Sequence, residues 1–303
     1  MTAAFSYEPS PLGKTDLVVS PVAWGMWRFQ GDDVAAARAR VEAALEAGLT
    51  FLDTADIYGP DHGEPFGAAE ALLGRVLAEA PQLRDRFVLA SKGGIVIGTP
   101  YDSSPAYIEQ AVDASLRRLG VERIDLWQIH RPDHLAHPAD VADALARLRQ
   151  AGKIGEVGVS NYTAAQVAAL QAHLPFPIAS HQIEFSPLVM APLYDGTLDQ
   201  ALETGMGVMA WSPLAQGRLG EGATADERVH PVRAALDAVA QAHEVDRTVA
   251  AYAWVLAHPA RPIPIVGSQQ PERIAAAAQA RHIKLSRTEW YAVLTAARGV
   301  PLP

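Results

Sequence analysis

Short apolar runs alternating with Ala- and Leu-rich stretches of helical period predict an α/β fold, a (β/α)8 TIM barrel. Two further observations point the same way. Polar or glycine residues collect at the C-terminal ends of the apolar runs, where such barrels keep their chemistry. The longest connections follow those same ends, where they would shape a pocket.

In chain order, Leu12–Ser20 holds Gly13-Lys14 between apolar positions and reads as a short N-terminal hairpin. The strands follow as Val22–Trp24, Thr50–Asp53, Phe87–Ser91, Ile124–Ile129, Glu156–Ser160, Ser180–Glu184, Gly207–Trp211 and Ile263–Val266. The helices between them are Asp33–Ala47, Gly67–Ala80, Pro105–Leu119, Ala139–Ala151, Ala164–His173, Leu198–Glu203, Val232–His258 (broken near Val245) and Pro271–Ala280. A last helix, Arg287–Ala297, follows Ser286. The first helix carries the usual signals: Asp32 to cap it, Val34, Ala37, Val41 and Leu45 on one face, and Gly48 to stop it. The long connections are Ile95–Ser104, the Pro- and His-containing Arg131–Pro138, and the Gly-rich Trp211–Pro231. With no Ser/Gly linker, charge block or long repeat, one domain over residues 1–303 is the simplest organisation.

Composition narrows the function classes. At 49% hydrophobic and 19% charged, the 303 residues are expected to build a sizeable core. A net charge of −9 argues against a nucleic-acid scaffold while leaving room for a local basic pocket. The absence of cysteine excludes disulfides, thiolate metal sites and cysteine nucleophiles. Met1–Leu12 lacks the pattern of a secretory leader, and no apolar run is long enough to span a bilayer, so a cytoplasmic protein is expected. There is no G-x-G-x-x-G after a strand, no Walker lysine loop, no G-x-S-x-G elbow and no H-E-x-x-H.

The candidate chemistry lies at the strand ends. Phe51–Gly59 places Asp53 at a strand's mouth and Tyr58 on the loop above. Lys92 follows the third apolar run, a costly position unless paired, and Asp53 is the plausible partner. A charged Lys92 would depress the pKa of Tyr58 and help it donate a proton; a rim salt bridge without catalytic role is the alternative. His130 ends the fourth strand and could orient a substrate oxygen. His130, His134 and His137 have a spacing that invites a metal reading, but Pro132 interrupts it, so no metal site is assigned. Ser160, Asn161 and Gln182 offer donors and acceptors for a carboxamide, although Ser160 or Thr163 could simply cap a helix. Trp211 could stack on a flat ring or belong to the core. Ser268 and Arg273, at a helix start after the last strand, suit a phosphate, which Glu272 opposes.

Taken in this order, Asp-Thr-Ala-Asp-Ile-Tyr-Gly, Ser-Lys-Gly-Gly, Ile-His-Arg-Pro-Asp, Gly-Val-Ser-Asn-Tyr and Ala-Trp-Ser-Pro-Leu resemble the aldo-keto reductase superfamily over nearly the whole chain. Gly217-Arg218-Leu219 and Leu198-Asp199-Gln200 make it most similar to a little-characterised bacterial oxidoreductase branch. The resemblance implies a barrel that binds NADP(H) across the strand C-termini and reduces aldehydes or ketones. By motif it puts a catalytic tetrad on Asp53, Tyr58, Lys92 and His130, with Tyr58 as general acid. It puts the nicotinamide on Ser160, Asn161, Gln182 and Trp211, and the pyrophosphate on Ser212, Leu214, Gln216, Gly217 and Arg218. Gly267, Ser268, Gln270 and Arg273 would surround the 2′-phosphate. The sequence departs from many relatives there, with Gly267 in place of a basic residue and Ala276-Ala277 in place of Glu-Asn. Trp27, Arg28 and Ile95, with Tyr58 and His130, would line the pocket of a small carbonyl substrate. A nucleotide-sensing binding protein on the same fold, and an aldolase or isomerase using Lys92 as a Schiff base, are the alternatives.

Overall fold

The computed structural model describes residues 5–303; the first four residues of the Met1–Leu12 segment lie outside it. A two-stranded antiparallel hairpin, β1 (Ser10–Pro11) and β2 (Val18–Val19), precedes the barrel. Eight parallel strands then close in the order β10-β3-β4-β5-β6-β7-β8-β9. They are β3 (Ala23–Gly25), β4 (Phe51–Asp53), β5 (Val88–Gly93), β6 (Ile124–Ile129), β7 (Ile154–Ser160), β8 (Ser180–Glu184), β9 (Gly207–Trp211) and β10 (Ile263–Val266). The helices are α1 (Val34–Glu46), α2 (Ala68–Glu79), α3 (Pro105–Leu119), α4 (Pro138–Gln150), α5 (Ala164–Gln171), α6 (Thr197–Thr204), α7 (Val229–Ala242), α8 (Arg247–Leu256), α9 (Pro271–Ala278) and α10 (Arg287–Arg298). The expected fold class and hairpin are therefore present, and every expected strand and helix has a counterpart.

The period of two along each strand sorts the side chains into two cores. Ala23, Phe51, Ala90, Leu126, Met209, Ile263 and Ile265 fill the barrel together with Leu12 and Val19 of the hairpin. Their strand neighbours, among them Trp24, Leu52, Leu89, Trp127 and Val266, pack outward against the helices. The register continues this sorting toward the C-terminal mouth. Asp53 pairs with Ala90, Lys92 with Gln128, and Ser160 with Gln182. Asp53, Lys92, Gln128 and Gln182 thus share the inner face, one layer above the apolar filling.

Some boundaries differ from expectation. Asp33 rather than Asp32 caps α1, its carboxylate accepting from Ala36 N at 2.9 Å. The helix expected from Val232 starts at Val229 because Pro231 sits in its first turn, where its missing N–H would be unpaired anyway. Its predicted break falls at 243–246, where Glu244 takes a positive φ of 55°. Lys92 lies inside β5, which runs on to Gly93. A 3-10 turn at Pro81–Arg86, not anticipated, leads into that strand. No helix among the described residues is long and apolar enough to cross a membrane.

Candidate active site

Asp53 and Lys92 reach each other because β4 and β5 are neighbours and both side chains point inward. The Lys92 Nζ donates to Asp53 Oδ2 at 2.7 Å and to the Thr54 carbonyl at 2.7 Å, with Lys92 fully buried and Asp53 2% exposed. The other carboxylate oxygen accepts from Gln182 Nε2 at 2.9 Å and from Gln128 Nε2 at 3.4 Å. A buried ion is tolerable only when paired and hydrogen-bonded, and Asp53 meets both conditions. Burial alone would lower the Lys92 pKa; the Asp53 carboxylate and the Tyr58 oxygen outweigh it and hold the ammonium above the ordinary lysine value.

Tyr58 lies over this pair. Lys92 Nζ is 4.9 Å from its ring centroid, and the His130 ring meets it edge-on at 6.0 Å. The expected depression of the Tyr58 pKa does not survive the geometry. Burial raises it more than the Lys92 charge lowers it, so the phenol stays protonated well past neutral pH. Burial, reinforced by the Lys92 and Arg131 charges, pushes His130 well below the usual histidine range. Its imidazole is neutral, and its Nδ1 is buried without a protein partner.

The carboxamide candidates form one network with these groups. Asn161 Nδ2 donates to Ser160 Oγ at 2.8 Å and to the His130 carbonyl at 3.2 Å. Trp211 Nε1 donates to Asn161 Oδ1 at 3.0 Å, and Asn161 N to the Gln182 carbonyl at 2.9 Å. The helix-cap alternative belongs to Thr163, which forms a capping box with Gln166. Trp211 is half-buried, and the Arg131 guanidinium lies over its ring at 5.7 Å.

Backbone strain concentrates on the same rim. Asn161, Ser212, Ala215 and Gln216 all have φ between 49° and 60°. Left-handed geometry disfavours residues with a Cβ by about 1–2 kcal/mol, and asparagine tolerates it best. The Ser212–Arg218 turns are closed by Ala215 N to Ser212 O at 2.7 Å and Gly217 N to Leu214 O at 3.0 Å. Arg233 and Arg247 brace this loop, donating to the carbonyls of Gly222 at 2.6 Å and Gly220 at 3.1 Å. Arg218 is partly occupied already, with Ala215 O at 3.0 Å and Asp226 at 3.6 Å.

The remaining candidates sit around β3 and β10. Ser268 Oγ accepts from Gln270 N at 3.2 Å, and Arg273 is exposed in the first turn of α9. Trp27 lies against the β4–α2 connection, donating to Asp61 at 3.0 Å and facing the His62 ring at 4.7 Å. Arg28 stacks on Trp27. Ile95 opens the long loop after β5; its carbonyl accepts from Tyr107 Oη at 3.4 Å. His137 caps α4 through Nδ1 and faces His173, away from a shared site with His130. Gln128, Asp61, His62 and the half-exposed Glu184 also belong to this face, and no sequence motif marks them. The signal for Gln128 was a polar residue within the apolar run Ile124–Ile129.

Comparison with known proteins identifies the family and the fold. The model of the Aldo/keto reductase family matches residues 21–297. A 6-dehydroglucose reductase of Novosphingobium aromaticivorans is 54% identical over 96% of this chain and 96% of its own length. Oxidoreductase YdhF of Escherichia coli is 39% identical, covering 92% of this chain and 94% of its own. Among solved structures, the thermostable aldo-keto reductase Tm1743, in complex with epalrestat, superposes with a TM-score of 0.81 at 22% identity. That alignment covers 95% of this chain and 99% of the other.

Proposed function

From the premise that the chain belongs to the aldo/keto reductase family, we propose that it is an NADPH-dependent reductase of hydroxylated aldehydes or ketones, with Tyr58 as general acid. The observation that carries this reading is the buried Lys92–Asp53 pair at 2.7 Å beneath the Tyr58 ring, with His130 edge-on beside it. The residues present suit a pyridine nucleotide. Ser160, Asn161 and Gln182 combine a hydroxyl and two carboxamides, the donor set that a nicotinamide amide needs. Trp211 is pinned by Asn161 beside them. When bound, the cofactor supplies a hydride to the carbonyl carbon.

The protein's part is to place and move a proton. Tyr58 Oη keeps its proton at neutral pH because burial raises its pKa. It releases that proton to the substrate oxygen as negative charge develops there, and the Lys92 ammonium stabilises the phenolate left behind. Asp53 holds Lys92 charged and in place, and its hydrogen bonds to Gln128 and Gln182 fix the carboxylate in turn. Neutral His130 orients the substrate oxygen without competing for the proton.

A hydroxylated substrate is supported by polar groups at the strand ends, Asp61 and His62 against Trp27 and Glu184 near Arg131, and by the relative named 6-dehydroglucose reductase. A Schiff-base role for Lys92 runs against its environment, since a buried ammonium with two hydrogen bonds and a raised pKa is a poor nucleophile. Tyr58→Phe is expected to abolish turnover nearly completely while leaving NADPH affinity largely unchanged; comparable turnover in the two proteins refutes the acid assignment. Tight NADPH binding without oxidation across a panel of aldehydes, ketones and aldoses favours the nucleotide-sensing alternative.

A further inference from the structure

Gly267 stands directly after β10, and its φ is not in the left-handed region. The backbone there accepts any side chain, so the glycine answers to space. A Cβ built at this position meets one neighbour, the Nη1 of Arg28 at 3.3 Å, closer than a comfortable contact. The guanidinium of Arg28 therefore lies in the room that a side chain at 267 would take.

This placement is held from both sides. Arg28 stacks on the Trp27 ring, 4.6 Å from its centroid, and Trp27 is pinned by Asp61 at 3.0 Å and by His62. The turn after β10 is tied to β3, since Trp24 Nε1 donates to Ser268 O at 2.9 Å and Gln269 Nε2 donates to Gly25 O at 3.0 Å. Val266 and Trp24 are register partners. Arg28 and the 267–270 turn thus form one unit. Among the described residues, neither Arg28 nor Arg273 has an ion-pair partner. In a chain of net charge −9, the Arg28 guanidinium beside Gly267 has no acidic partner, and Arg273 follows in the first turn of α9.

We infer that Arg28 is a cofactor residue rather than a substrate residue, and that it selects NADPH over NADH by binding the phosphate monoester at the Gly267–Ser268 turn. The inference rests on the cofactor reading above and deepens it. A guanidinium suits a phosphate through paired N–H donors, and stacking on Trp27 leaves its edge free to make them. The small residue at 267 and the arginine at 28 then work as a pair, the cation arriving from the neighbouring strand's loop.

The test is tryptophan-fluorescence titration of the full chain with NADPH and with NADH, in wild type, Arg28→Ala, Arg28→Lys and Gly267→Ala. Arg28→Ala is expected to raise the Kd for NADPH roughly 10- to 100-fold, the loss typical of a charged hydrogen-bonded contact, with the Kd for NADH nearly unchanged. Arg28→Lys should recover part of the loss. Gly267→Ala, which crowds Arg28, should lose selectivity in the same direction and by less. Equal weakening of both nucleotides places Arg28 at the shared pyrophosphate and overturns the selectivity role. Unchanged affinity for both, with a raised KM for the carbonyl substrate, returns Arg28 to the substrate pocket and overturns the inference entirely. A wild type that binds neither nucleotide overturns the cofactor reading instead, which separates the two failures. Arg28 is exposed, so its variants are expected to keep the wild-type thermal midpoint, checked alongside.

Discussion

Single side chains here are governed by whether a buried charge finds partners. Lys92 and Asp53 do, and each protects the other. Lys92→Met should therefore cost stability as well as activity, about 3–5 kcal/mol, because it strands the Asp53 carboxylate in the barrel interior. Denaturant titration of the variant measures this, and an unchanged midpoint contradicts it. His181 shows the opposite case. It is fully buried on the outer face of β8, and burial, outweighing the Asp195 charge and the Tyr162 backbone, pulls its pKa from 6.5 to about 4. Between those values the unfolded chain takes up a proton that the folded chain refuses. Stability is thus whole above pH 6.5 and is lost as pH falls toward 4, by about 3 kcal/mol. His130 is depressed as well and adds to the loss in the same direction. His181→Leu should flatten the thermal midpoint between pH 7 and 4; parallel curves for the two proteins would exclude His181 as the source.

Helices and strands were legible where local chemistry specified them. The capping boxes Thr163–Gln166 and Ser286–Glu289 mark helix starts that the periodicity also marked. What escaped was set by neighbours. Asp32 and Asp33 are equivalent caps in sequence, and only the chain's approach from β3 chooses Asp33. Gly74 is similar: in the middle of α2 it looks like a weak helix residue, yet it permits close approach of the C-terminal end of α3. A Cβ there collides with the Arg118 carbonyl. Gly74→Ala should accordingly destabilise the protein by about 1–3 kcal/mol, although alanine is the better helix former by about 1 kcal/mol. A rise in thermal midpoint would mean that α2 and α3 can move apart.

For the molecule as a whole, the barrel carries the candidate site at its C-terminal mouth and a hairpin closure at the opposite end. The hairpin closes the strand N-termini, with Leu12 2% exposed and packed against the start of β9. Leu12→Ala should lower stability by about 2–5 kcal/mol and leave the Kd for NADPH unaltered. Changed nucleotide affinity in a folded Leu12→Ala protein would show that the two ends are coupled.

The chain read alone settled the barrel, its strand ends and the residue types gathered there, because alternation of period and turn chemistry are local properties. It could not settle which partners those residues take. Gln128 and Gln182 meeting on Asp53, burial overriding Lys92 at Tyr58, and Arg28 lying in the room left by Gly267 all join positions far apart in sequence. Charge, hydration and free space at a point depend on every strand that converges there, and that convergence exists only once the barrel has closed.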